Sequence, residues 1–245
     1  MCGMPSADRL DRILIIAYFV DNRLWQDDCV MQEETRALGE RTYQQLLGEI
    51  LGGEHAPGAP LRPQGIAHRL GVSLVVVREA LTRLCGDGLA ERHTNRGFTV
   101  SEASDERWQE LAHARSLLEP VMLRDAVERG DLEWETRVVA AHHRLAATPI
   151  GTETGGHVSE QWSLAHGRFH RALIEGCANR VMLGVFDRFW RSSELARRWS
   201  VDISADRDIA GEHAQLMHAA CDRDADRAQR LLREHIMRTV RRLQP

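Results

Sequence analysis

Apolar positions along this chain fall into two regimes. From residue 105 onward they recur at i, i+3, i+4 and i+7 through about six stretches, roughly 105–129, 131–147, 156–177, 179–199, 205–222 and 224–243, with almost no alternating strand signal between them. That spacing predicts a bundle of amphipathic helices. Before residue 105 the punctuation is tighter. A helix opening at Glu40 carries Tyr43, Leu46, Leu47, Ile50 and Leu51 on one face and ends at Gly52-Gly53. Ala56-Pro57-Gly58 then leads to a short helix from Pro63 to Leu70, turned inward on Ile66, Ala67 and Leu70.

Gly71-Val72-Ser73 makes a turn, with Ser73 placed to accept a hydrogen bond from an otherwise unpaired N–H at the start of the next helix. In that helix Val77, Ala80, Leu81 and Leu84 form one buried stripe, and Arg78, Thr82 and Arg83 occupy the opposite face. Gly88 stops it, Leu89 to His93 reads as a strand, Asn95-Arg96-Gly97 turns the chain, and Phe98 to Ser101 returns. A helix, a tight turn, a second helix and a two-stranded wing in that order form a DNA-reading device.

The expected fold class is therefore mainly α: a winged helix-turn-helix domain over residues 39–103, a short polar joint at Ser101 to Ser104, and an all-α six-helix bundle over 105–245. Residues 1–38 are an N-terminal extension, either a short extra helix or the product of an upstream start codon, with Met31 as the alternative start. The apolar run from Ile13 to Val20 is too short to span a bilayer and lacks a small-residue cleavage site after it, so no membrane partner is expected. Five scattered cysteines without metal-type spacing read as reduced thiols of a cytoplasmic protein.

Charge sharpens the first domain's role. Six arginines between residues 61 and 100 (Arg62, Arg69, Arg78, Arg83, Arg92 and Arg96) face only Glu79, Asp87 and Glu91, while the whole chain carries a net charge of −4. Basic groups concentrated on a reading helix and wing are what counterion release from DNA requires.

The run from Tyr43 to Leu61 (YQQLLGEILGGEHAPGAPL), followed by GIAHRLGVS, VREALTRL, GDGLAER and NRGFTV, resembles the N-terminal domain of GntR-type transcription regulators over about sixty residues. Two departures stand out. Pro63 and Gln64 replace the usual acidic residue and Arg at the start of the first motif helix, and Leu74 and Val76 replace the usual Arg and Pro after the capping Ser. Arg78 and the wing's Gly97 are retained. The candidate contacts to a double-stranded DNA operator are Arg62, Gln64, Ser73, Leu74, Val75, Arg78, Arg83, Asn95, Arg96 and Gly97, with Leu74 and Val75 suited to thymine methyl groups.

The helical region holds a second constellation. His166 and His170 lie four apart on one helix, His213 on a later one and His235 on the last, each in the register of core residues. Four neutral imidazoles in a dry interior leave ring nitrogens without partners, at about 1–3 kcal/mol for each one unsatisfied, whereas a shared metal ion removes that difficulty. The region resembles the FadR-like all-helical ligand-binding domain over nearly all of 105–245. Its metal-binding members carry Asp-x-x-x-His, then His, then His, and the matching positions are His166, His170, His213 and His235. The resemblance thus implies a divalent transition metal, and all-imidazole ligation favours zinc or nickel over the harder cations.

Arg115 falls on the inward stripe with Trp108, Leu111 and Leu118 and needs an anion. Two partners are available: Glu119, one turn along, or a carboxylate effector in the cavity that this position faces in the resembled domain. The expected protein is a homodimeric repressor whose grip on a near-palindromic operator is relieved by a small carboxylate bound against the metal and Arg115. Two alternatives remain open: a metalloenzyme, against which Gly167 stands where HExxH places its general base, and a regulator whose helical domain only dimerises.

Overall fold

The computed structural model describes residues 33–94, 97–151, 158–200 and 207–240, the side chains of 196, 198–200 and 240 excepted. Nine helices and three short strands are found among the described residues. The first helix, α1, covers 33–52 and so runs unbroken through residue 38, where the seam of the N-terminal extension was expected. β1 (Pro60–Leu61), α2 (Pro63–Leu70), α3 (Leu74–Gly86), β2 (Ala90–His93) and β3 (Gly97–Val100) complete the first unit. The two wing strands pair antiparallel with Ala90 opposite Val100 and His93 opposite Gly97. β1 was not foreseen: two residues carry no periodicity, yet Pro60 and Leu61 pair with Thr99 and Phe98 and put β3 at the centre of the sheet. Leu46, Ile50, Leu61, Val77, Leu81, Leu84 and Phe98 close one core beneath this sheet.

α4 (Asp105–Arg129), α5 (Leu132–Ala146), α6 (Glu160–Glu175), α7 (Arg180–Ser200), α8 (Ile209–Cys221) and α9 (Ala225–Val240) form the bundle. Its core gathers Trp108, Met122, Leu123, Trp134, Phe169, Leu173, Phe186, Leu216 and Leu232. The helix starts follow their caps. Ser104, Asp131, Ser159 and Asp208 accept from the N–H groups of Arg107, Trp134, Trp162 and Gly211, so α6 begins four residues later than its apolar pattern suggested and α8 begins only at Ile209. α4 accommodates a buried interior proline, Pro120. A proline has no N–H for the carbonyl four residues back, here Ser116, and Arg233 of α9 donates its Nε to that oxygen at 3.3 Å. The kink-prone point of α4 is thereby fastened to the helix it packs along. No helix of the described residues is long and apolar enough to cross a membrane.

Candidate functional site

Gly71, at φ +65°, makes the left-handed turn between α2 and α3, and the Ser73 hydroxyl caps α3 by accepting from Val76 N at 3.3 Å. The first turn of α3 is thus held rigid, with Leu74 38% and Val75 74% exposed. Arg62, Gln64, Ser73 and Arg78 are exposed on the same unit, and no ion pair among the described residues engages Arg62, Arg78 or Arg92. Gly97 opens β3 at φ +82° with open space where a Cβ would sit. Asn95 and Arg96 lie outside the described residues.

The local charge expected from sequence needs correction, because two of its arginines are used inside the domain. Arg83, though exposed, donates to Glu40 Oε2 at 2.9 Å and lies 4.1 Å over the Tyr43 ring, tying α3 to α1 by a surface ion pair. Arg69 makes a bidentate pair with the buried Glu49, at 2.6 and 2.7 Å. Burial pushes the Glu49 carboxyl up, but the hydrogen bonds of Arg69 and His55 outweigh it and hold it below the usual range.

In the bundle the four histidines meet. All are buried, and one ring nitrogen from each lies within 4.8 Å of the other three. Two helical residues four apart, His166 and His170, bring their rings to 4.6 Å, and α8 and α9 bring His213 and His235 to 4.9 Å. The Nε2 atoms of His166, His170 and His213 are buried without a hydrogen-bond partner. Desolvation, and then the mutual repulsion of the charged forms, push all three imidazoles well below their ordinary value, so they are neutral at physiological pH. Neutral, unpartnered imidazole nitrogens converging on one point are the donor set a transition metal takes.

The surroundings include groups that the sequence reading missed. Glu212 accepts from His235 Nδ1 at 2.8 Å and is itself held by Arg207, at 2.5 and 3.0 Å. Burial alone raises the Glu212 carboxyl, yet the bonds from His235 and Arg207 keep it far below the usual carboxylate range. A carboxylate behind a histidine in this way fixes its tautomer and raises its basicity as a ligand. On the other side Arg197 donates to His166 Nδ1 at 2.8 Å. Arg197 was detectable by the argument applied to Arg115, since Phe186, Trp190, Ser193 and Arg197 form one helical stripe. Arg207 lies before α8, outside any period, and gave no signal.

Arg115 takes the first of its two expected partners. Its Nε lies 2.5 Å from Glu119 Oε1 and its Nη2 3.2 Å from Oε2, while Nη1 donates to Ser193 at 3.2 Å. Both side chains of the pair are buried. Two N–H groups of the guanidinium remain for other acceptors. A cleft of about 380 Å³, lined by His142, Trp162, Arg207 and Ile209 among others, reaches the cluster at His213.

Residues 38–100 match the family described as bacterial regulatory proteins, gntR family, and residues 110–238, more than half the chain, match the FCD domain. The chain belongs to the GntR family. Like its GntR relatives, it is a DNA-binding transcriptional regulator. It is 35% identical to the HTH-type transcriptional regulator BphR of Paraburkholderia xenovorans, over 84% of each chain. It is 27% identical to the HTH-type transcriptional repressor GlaR of Escherichia coli, over 81% of this chain and 92% of that one. Among solved structures it resembles E. coli McbR/YncC (TM-score 0.67, 20% identity, 84% of this chain and 96% of that one). A GntR regulator from Rhodococcus sp. RHA1 superposes similarly (TM-score 0.66, 21% identity, 84% and 96%). These GntR relatives are regulators, which removes the metalloenzyme alternative, and the FCD match gives the histidine cluster its setting in an effector domain.

Proposed function

We propose that this GntR regulator is a homodimeric repressor whose helical domain binds a divalent transition metal, zinc or nickel, through the histidine cluster and a small carboxylate effector beside it. One observation carries the reading: the buried Nε2 atoms of His170 and His213, without partners, lie with a ring nitrogen of His235 in a single ligand-sized space that His166 also borders. His170, His213 and His235 are equipped to hold the ion, with Glu212 orienting His235. The metal supplies a Lewis-acidic anchor for an anion. Around it, Arg115 contributes its two remaining donors. Because Glu119 already neutralises it, Arg115 orients a carboxylate more than it attracts one.

On the DNA side, Leu74 and Val75 meet the major groove at the N-terminal end of α3. Arg78 and Gln64 supply polar contacts, Arg62 and the wing residues Asn95, Arg96 and Gly97 approach phosphate, and Ser73 holds the turn. Two such units, related by a twofold axis, read the two halves of a near-palindromic operator. The effector relieves repression through its differential affinity for the two poses of the DNA-reading units, and the regulator works in the cytoplasm.

The test uses untagged protein. Its metal content is measured, and organic acids are then screened for release of a labelled fragment flanking its own gene at stated salt. Metal is expected in the wild type and absent from a His170→Ala, His213→Ala double variant that still binds the fragment. Equal metal content in the two proteins rules out this site.

A further inference from the structure

His166 and His235 flank the cluster, and their outward nitrogens meet opposite chemistry. His235 Nδ1 lies 2.8 Å from Glu212 Oε2. A carboxylate only accepts, so Nδ1 carries the ring proton and Nε2 keeps its lone pair for a metal. Arg207 Nη2 also lies 3.2 Å from this Nδ1, but its shorter contact, 2.5 Å, is to the same Glu212 oxygen. His166 is the reverse case. Its Nδ1 lies 2.8 Å from Arg197 Nη1, and a guanidinium only donates. Nδ1 must therefore accept, and the neutral ring carries its proton on Nε2, the atom turned toward the other imidazoles without a partner of its own.

Arg197 is well anchored in that position. It is buried at 7% exposure, its Nη2 donates to Glu194 Oε2 at 2.7 Å, and its guanidinium lies 4.9 Å over the Trp190 ring. Withdrawing it to reverse the His166 tautomer leaves a buried charge short of a hydrogen bond.

We infer that His166 is not a fourth metal ligand but an N–H donor, fixed in that tautomer by Arg197, which reads an acceptor oxygen of a carboxylate bound at a three-histidine site of His170, His213 and His235. The inference rests on the metal reading proposed above and adds a selectivity to it. Ligands presenting a lone pair toward His166 gain a hydrogen bond; ligands presenting an N–H there meet a second donor.

Two measurements on the full chain test this. Long-range ¹H–¹⁵N NMR of the metal-free protein is expected to show His166 protonated on Nε2; protonation on Nδ1 overturns the inference without touching the metal site. Cobalt(II) titration, followed by acetate titration of the cobalt-loaded proteins, is then applied to wild type, His166→Ala, His166→Gln and His170→Ala. Cobalt affinity is expected to stay within a few-fold of wild type in both His166 variants and to collapse in His170→Ala. Acetate affinity is expected to fall about tenfold in His166→Ala, the loss of one good hydrogen bond. It should be largely restored in His166→Gln, whose amide N–H replaces Nε2–H and whose fold serves if the alanine variant does not hold together. Loss of cobalt from both His166 variants as complete as from His170→Ala overturns the inference alone. A wild type that binds no cobalt overturns the metal reading and the inference with it.

Discussion

Arg191 donates to Asp87 Oδ1 at 2.7 Å, joining α7 of the effector domain to the end of the DNA-reading helix α3. The other oxygen of Asp87 accepts from Tyr43 of α1 at 2.5 Å, and Ser192 donates to the Asp87 carbonyl at 2.9 Å. Leu195, one turn on, is buried in the core of the winged unit. The same helix presents Trp190, Ser193, Glu194 and Arg197 to the histidine cluster and its neighbours. One helix therefore touches both the histidine cluster and the DNA-reading domain, which is the physical continuity that coupling between two sites calls for.

Asp87→Ala breaks this joint at its most connected atom pair. Metal content should be unchanged, since Asp87 bonds Tyr43, Arg191 and Ser192 and not the clustered histidines. The ratio of operator affinities with and without effector should shrink toward one, from a coupling of about 1–3 kcal/mol in a typical allosteric protein. Fluorescence anisotropy of a labelled operator, read at fixed salt with and without effector, checks it. A ratio equal to wild type shows that the signal bypasses Asp87.

Arg78 and Arg83 sit five residues apart on α3 but should behave differently on DNA. Arg78 is exposed and lacks an ion-pair partner among the described residues, so Arg78→Ala should weaken operator binding by about 1–3 kcal/mol if it reads a base edge. Arg83 is held by Glu40 and Tyr43, so Arg83→Ala should leave affinity and salt dependence nearly unchanged. Binding isotherms over a range of salt distinguish the two, and an Arg83→Ala loss matching that of Arg78→Ala contradicts the geometry.

Much of this architecture was legible because its signals are local. Ser73 announces a helix start by its own hydroxyl, Gly71 and Gly88 mark left-handed turns, and the stripe of Val77, Ala80, Leu81 and Leu84 needs only a 3.6-residue period. The histidine cluster was legible for a similar reason: imidazoles in core register are chemically conspicuous. What escaped was decided by partners distant in sequence. That Arg83 pairs with Glu40 shows only once α1 folds beside α3. Arg115 looked equally suited to Glu119 and to an effector, and only the packed bundle, with Ser193 opposite, makes the choice. The tautomer of His166 depends on Arg197, 31 residues away.

Gly88→Ala tests the closeness of the same joint by sterics instead of charge. Gly88 sits at φ +74°, and a Cβ there meets the Ser192 hydroxyl at 2.5 Å. The left-handed backbone alone penalises alanine by about 1–2 kcal/mol, and the clash displaces the Ser192 hydroxyl from the Asp87 carbonyl it bonds. The variant should melt earlier and respond to effector as weakly as Asp87→Ala. Normal stability together with a normal effector response shows that α7 and the wing are not tightly seated on each other.

The metal-free protein should lose stability as pH falls through the range in which ordinary imidazoles titrate. His166, His170, His213 and His235 all have their folded-state values lowered from about 6.5, by burial first and by neighbouring positive groups next, against the opposing hydrogen bond that His235 donates to Glu212. Below 6.5 the unfolded chain binds protons at these positions that the folded chain refuses. Stability therefore rises with pH in this window, is fully present above it, and declines on acidification by up to about 1.4 kcal/mol per pH unit for each histidine involved. Glu212, whose carboxyl is lowered, has the same sign but acts only below the ordinary carboxylate range near 4.5, so the two windows separate. Urea melts of chelator-treated protein between pH 8 and 5 should show the decline, and His170→Ala, with one buried imidazole fewer, should show a shallower one. A pH-independent midpoint across that range is incompatible with four neutral histidines packed in the bundle core.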